Sequence, residues 1–340
     1  MFCFASHRNK PKKILIIGGR KLNENLLMSP AVTMIRNHFS EAEIFLAAGE
    51  EAKDYLLHSQ RLAGVHLIPE NASLFSIIAL LRKERYDLGI DLTNGFIPYA
   101  LRIKKRLFFF SHTILSDKCY THESDRFIGI VSSLLKTPVP KTTSLFFPSF
   151  SAEKEKVTEE LKKKGITSST PIVVIAPGTE EKKYQWPTEK YAHIANTLAE
   201  EYETKIIFLG IEKKAVEEIS SFISKKESIL PYAPVRSIHE TAAILSRSTL
   251  VISEHNTIMY LASALAIPTV AIFGPTNPYR FGPIGTEHSI IHAELSCFPC
   301  KNPKKCRLSL QCLTQLSPEK VLSACRLILD KKEQLYLFDL

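Results

Sequence analysis

The feature that most constrains this chain is a β-branched strand, glycine turn and helix that appears near the start and begins again halfway along. Ile14 to Ile17 is a short apolar run led by Lys12-Lys13 and ended by Gly18-Gly19. Past residue 170, Ile172 to Ile175 leads into Ala176-Pro177-Gly178-Thr179. In the first half, Ser29-Pro30 is expected to open a helix to about residue 39, with proline in its first turn. A strand over 43–47, a helix over 74–82 and a strand over 88–92 follow. The second half predicts a helix over 188–201, a strand over 205–209, a helix over 238–246, a strand over 250–253, a helix over 259–266 and a strand over 269–273. Ser317-Pro318-Glu319 opens a last helix to about residue 332. Strands alternating with helices are parallel βαβ units, so the expected class is α/β, with two doubly wound, Rossmann-like lobes.

The expected organisation is an N-terminal lobe over 1–150, a linker region over 151–170 made of a charged helix and then a polar stretch, a second lobe over 171–316, and a terminal helix and tail over 317–340. With 340 residues and 45% of them hydrophobic, the chain is long enough for two cores. No apolar run approaches the roughly 20 residues of a spanning helix. The first ten residues lack the apolar core of a signal peptide, so the expected location is the cytoplasm. The net charge of +9 is uneven. Residues 1–150 carry 20 Lys+Arg against 13 Asp+Glu, and the remainder 24 against 22. A basic first half suits an anionic partner: a nucleic acid, an acidic membrane surface or a charged acceptor.

In open α/β sheets ligands lie beyond the carboxyl ends of the strands, where strand order reverses. The turn at Gly178 and Thr179, followed by Lys182 and Lys183, has the makings of a diphosphate cradle of backbone N–H groups and lysine charge; an ordinary polar loop is the alternative. A second constellation runs from Leu250 to Thr276, LVISEHNTIMYLASALAIPTVAIFGPT, and contains two strand ends with polar turns. A nicotinamide site is excluded, because the first turn reads G-G-R-K-L-N rather than G-x-G-x-x-G. His193 and His239 fall on predicted helices and read as surface or packing residues. Of seven cysteines, Cys297, Cys300, Cys306 and Cys312 lie within sixteen residues. In a reduced compartment that spacing points to zinc or iron rather than disulfides, and neither ferredoxin spacing is present.

APGT, YQWP, LGIE and EHNTIMYLASALAIPTVAIFGPT together resemble the second lobe of the lipopolysaccharide heptosyltransferases, glycosyltransferase family nine. The lysine-led first strand, with Leu22-Asn23-Glu24 six residues before Pro30, resembles the L-G-D loop of their first lobe. The resemblance covers roughly residues 12–325 and is thin over 40–150. It implies a GT-B fold, two lobes facing across a cleft, with the acceptor on the first lobe and the nucleotide sugar on the second. It implies inverting transfer of a sugar, most often heptose, from an ADP-sugar to a lipopolysaccharide core or similar anionic glycolipid at the inner membrane surface. No cofactor serves catalysis, no nucleic acid is involved, and some relatives hold a structural iron near the cysteines.

By position Glu24 is the implied general base, and the implied donor residues are Gly178, Thr179, Lys183, Glu212, His255, Asn256, Thr257, Tyr260 and Thr276. The chain departs from the family pattern at the donor turn: His255 stands for an aspartate, Thr257 for a glycine, Tyr260 for a histidine, and the lysine of K-x-W-P is displaced to Lys183. A protein that keeps the fold without catalysis is therefore the competing expectation.

Overall fold

The computed structural model describes residues 10–338, except 94, 96, 104, 109–120, 142, 180–183, 211–212, 231–236 and 301. The chain separates into two compact units between Ser149 and Phe150. Among the described residues each is built on one five-stranded parallel sheet with helices between the strands, an α/β arrangement.

The first sheet contains β1 (Lys13–Ile17), β2 (Glu43–Gly49), β3 (Gly64–Ile68), β4 (Leu88–Asp91) and β5 (Lys105–Phe108), in the order β3-β2-β1-β4-β5. The second contains β6 (Ile172–Ala176), β7 (Lys205–Phe208), β8 (Leu250–Glu254), β9 (Thr269–Phe273) and β10 (His288–His292), in the order β10-β9-β8-β6-β7. Each order reverses once, between β1 and β4 in the first unit and between β6 and β8 in the second. Those two points are where such sheets open a crevice. Every residue of β6, β8 and β9 is buried, the consequence of helices covering both faces of a parallel sheet. Against this sheet pack Trp186, Tyr191 and Leu198 on one segment and Val321, Leu322 and Ile328 on another.

Two expectations are corrected, and one is filled in. Ser29-Pro30 does not open a helix: the helix runs Leu22–His38, with Pro30 inside it. Proline removes the N–H that would bond the carbonyl of Leu26, and the Ser29 hydroxyl donates to that carbonyl instead at 2.6 Å. The same hydroxyl accepts from the Phe146 N–H at 2.9 Å, so the Ser-Pro pair is an internal repair. Second, the charged helix expected at the head of the 151–170 region is Ser151–Lys163; its Val157 and Leu161 are buried, and it packs on the helix Ile238–Leu245 of the second unit. Two apolar residues four apart were enough to dock it, though charge dominates its composition. Third, β3, β5 and β10 were not foreseen. β3 and β10 are edge strands, mostly half-buried, and so lack the continuous apolar run that announces a central strand.

No helix among the described residues is long and apolar enough to cross a membrane. His193 is exposed and faces Glu319 at 3.3 Å, while His239 is buried in the helix Ile238–Leu245.

Candidate functional site

The second unit's reversal point is built from the turns that leave β6 and β8. Gly178 follows β6 with φ +98°, in the left-handed region that a side chain disfavours. Its N–H donates to Glu254 Oε2 at 2.5 Å, and the Trp186 N–H donates to Glu254 Oε1 at 2.8 Å. Glu254 is the last residue of β8 and is 1% exposed. One carboxylate therefore holds both ends of the loop between β6 and the helix Thr188–Glu201. Burial pushes its pKa up to about 7, although the N–H groups of Gly178 and Trp186 and the Tyr191 hydroxyl favour the ionised form. Burial first, then the Glu254 charge, drives the Tyr191 phenol well above its ordinary range.

Asn256 adds a second clamp. Its Nδ2 donates to the carbonyls of Ala176 at 3.0 Å and Gly178 at 2.9 Å. Its Oδ1 accepts from Ile258 N, Met259 N and the Ser253 hydroxyl, which makes it the N-cap of the helix Thr257–Ala264. Five hydrogen bonds use the amide completely. It shapes the turn and has nothing left for a ligand.

His255 and Tyr260 form a third group. The Tyr260 hydroxyl donates to the carbonyl of Phe281 at 2.9 Å and meets His255 Nε2 at 2.9 Å. With the phenol proton spent on the carbonyl, Nε2 is the donor of that pair. The imidazole stacks on Phe273 with ring centroids 5.8 Å apart, and Tyr260 is 1% exposed. This pair packs the wall of the site. Gly178, Thr179, Thr257 and Thr276 are half-buried at the carboxyl ends of β6, β8 and β9. Lys183 and Glu212 lie outside the described residues.

The tryptophan of YQWP is also structural. Trp186 is fully buried, and its indole N–H donates to the Leu316 carbonyl at 3.2 Å. Lys190 Nζ reaches the carbonyls of Thr314 and Leu316 at 2.6 and 2.8 Å. Valine at position 178 would force a β-branched residue into positive φ, a cost of about 1–3 kcal/mol. Gly178→Val is therefore expected to lower the melting temperature measurably, and a scan matching wild type would show that the turn tolerates a side chain.

In the first unit, the turn after β1 is pressed against β2. A Cβ on Gly49 would lie 1.9 Å from the carbonyl oxygen of Arg20, so only glycine fits there. Glu24 lies in the first turn of the helix Leu22–His38, at the β1–β4 reversal. Its exposed carboxylate accepts from Arg20 N at 2.7 Å and Lys21 N at 3.1 Å, capping the helix in reverse. Asp91, fully buried at the end of β4, accepts from Thr93 N and Oγ1 through Oδ1. Its Oδ2 is buried, with no hydrogen-bond partner among the described residues.

Cys297, Cys300, Cys306 and Cys312 line one small cavity of about 20 Å³ with Gly274 and Phe298. Burial first, then the other three thiols, push Cys312 up to about 11. Among the described residues no group of three or more His, Cys, Asp or Glu side chains is gathered tightly enough to hold a metal ion. The donor set suits zinc or iron, and the four thiols share a cavity without the closed geometry of a bound site.

Glu254 carried no assigned role in the sequence, where it is only one residue of the LVISEHNT run. A carboxylate that ends a buried strand and precedes a helix cap was the available signal.

The profile of glycosyltransferase family 9 (heptosyltransferase) matches residues 74–310. Lipooligosaccharide heptosyltransferase 2 of Haemophilus influenzae is 22% identical over 305 residues, which cover 82% of this chain and 88% of that protein. The solved E. coli ADP-heptose lps heptosyltransferase II superposes with a TM-score of 0.73 at 20% identity, covering 94% of this chain and 99% of the other. The iron-containing dodecameric glycosyltransferase TibC of enterotoxigenic E. coli superposes with a TM-score of 0.61 at 11% identity, covering 95% and 77%. These likenesses identify the fold as GT-B.

Proposed function

Because the chain belongs to glycosyltransferase family 9, the heptosyltransferase family, we propose that it transfers a heptose from ADP-heptose, with inversion, to a lipopolysaccharide core or similar anionic glycolipid. The observation that carries this reading is the meeting of the β6 and β8 turns at the second unit's reversal point, stitched by Glu254 and Asn256. In this proposal the second unit takes the donor. Backbone N–H groups at Gly178 and Thr179, with Lys183, balance the charge of the leaving diphosphate. Thr257 and Thr276 offer hydroxyls, and Glu212 takes the ribose diol. The first unit takes the acceptor, whose hydroxyl gives its proton to Glu24. No cofactor takes part in the chemistry. The acceptor is presented at the inner membrane surface, and nucleic acid is not a partner.

Calorimetry with ADP tests the donor half. Binding is expected to weaken with Lys183→Ala and with Glu212→Ala. No heat of binding at millimolar ADP would remove the donor assignment. The competing reading, a family member without catalysis, is favoured by one observation: Asn256 is consumed by the backbone and Thr257 stands where the family has glycine. ADP binding without transfer or hydrolysis of any nucleotide sugar would favour it.

The four cysteines are proposed to close around one structural zinc or iron. Their shared cavity supports this, and a bound cation would hold the four as thiolates. Protein purified without chelator is expected to carry about one equivalent of metal, and each Cys→Ser variant to lose it and melt lower. Less than about a tenth of an equivalent of zinc plus iron would overturn the assignment, given the affinity of four-thiolate sites.

A further inference from the structure

A concavity of the first unit lies at the opposite end of the sheet from the strand ends discussed above. It measures about 670 Å³, within the range of small-ligand pockets. Three lead-in segments form it, entering the adjacent strands β1, β4 and β5: residues 10–12, 84–87 and 101–103. Pro11, Leu81 and Ile103 make a buried apolar floor. Around it stand Lys10, Lys12, Arg82, Arg85 and Arg102, all exposed.

The two acids of this pocket are already committed. Asp87 Oδ2 accepts from the backbone N–H of Lys12 at 2.8 Å and of Lys13 at 3.0 Å. Glu84 bonds Lys13 Nζ at 2.8 Å, and that bond holds its carboxyl below the ordinary range. Among the described residues none of the five cations is ion-paired. Arg102 sits at φ +56°, a region an arginine enters at a cost of roughly 1–2 kcal/mol. It closes the helix Ile97–Ala100, where the N–H groups of Leu101, Arg102 and Ile103 bond the carbonyls of Ile97, Tyr99 and Pro98. Uncompensated cations over an apolar floor select an anion with an apolar neighbour.

The geometry points to a second anion site here, one that takes a phosphate ester and is separate from the donor and acceptor turns. An anionic lipid head group and a soluble phosphate compound share that chemistry. The site does not depend on the proposed transfer reaction, because none of its residues belongs to the β1, β6 or β8 turns.

The test uses full-length protein, vesicles of phosphatidylglycerol or phosphatidylcholine, and inorganic pyrophosphate. The variant carries Arg85→Glu with Arg102→Gly; glycine relieves the positive φ, so folding is preserved. Lys162→Glu, exposed on the helix of the second unit, is the charge control, and Gly178→Val reports on the donor turn. Wild type and both control proteins are expected to bind phosphatidylglycerol vesicles at low salt. The double variant should bind more than tenfold more weakly, since each basic residue at an anionic surface is worth about fivefold. Pyrophosphate binding that the double variant loses and Gly178→Val keeps, without vesicle binding, identifies a soluble phosphate as the source. If neither probe binds wild type at this site, or if the double variant binds both as wild type does, the site does not exist.

Discussion

The stability advantage that Glu254 gives wild type over Glu254→Gln is expected to shrink as pH rises from about 4.5 to about 7. Burial raises the Glu254 pKa from 4.5 to about 7. Between those values the folded state keeps a proton that the unfolded chain has released, so unfolding becomes easier as pH rises. The stabilisation is complete below about 4.5 and gone above about 7. At 1.36 kcal/mol per unit, it amounts to about 3 kcal/mol. Urea unfolding at several pH values, read as wild type minus Glu254→Gln, isolates it from other titrating groups. A difference that does not vary with pH would refute burial as the cause. Glu254→Ala is the harsher change, because it strands the N–H groups of Gly178 and Trp186 in a buried place. Each stranded donor costs about 1–3 kcal/mol, for a total loss of about 2–6 kcal/mol, and ADP binding is expected to fail with it.

Glu24→Gln is expected to lower turnover by about 100- to 10,000-fold if Glu24 is the base, with ADP affinity nearly unchanged. The geometry makes this variant cleaner than alanine. The amide oxygen of glutamine still accepts from Arg20 N and Lys21 N, so the helix cap survives while the basicity goes. Glu24→Ala would add a capping loss of about 1 kcal/mol and confuse the two roles. Glu24→Asp restores the residue of the family's L-G-D loop and moves the carboxylate by about 1 Å, a displacement that alone can cost about 100-fold. Higher activity in Glu24→Asp would show that the loop positions the shorter acid. Wild-type turnover in Glu24→Gln would leave Glu24 as a cap only, and would turn attention to the buried Asp91 at the same reversal point.

Much of the second unit was legible because its central strands are buried on both faces and read as unbroken apolar runs. Ile172 to Ile175 and Thr269 to Phe273 were placed nearly to the residue, and so were the motifs at their ends. The first unit was harder. Its helix start is set by a carboxylate that caps backwards from Glu24 and by a serine that repairs the proline gap, and neither leaves a periodic trace. β3 and β10 are edge strands that need only half an apolar face.

The amino-acid sequence by itself determined the two α/β units, the family, and which turns stand at the strand ends. Those follow from local period and from short motifs, which neighbouring residues settle among themselves. The roles within the site needed the tertiary structure. Asn256 and Tyr260 read as donor ligands until their polar atoms proved to be engaged with backbone carbonyls 80 and 21 residues away. Glu254 gained its role from partners 76 and 68 residues earlier in the chain. Whether a buried polar atom is free for a ligand depends on which distant groups the fold brings to it, and no pattern along the chain encodes that pairing.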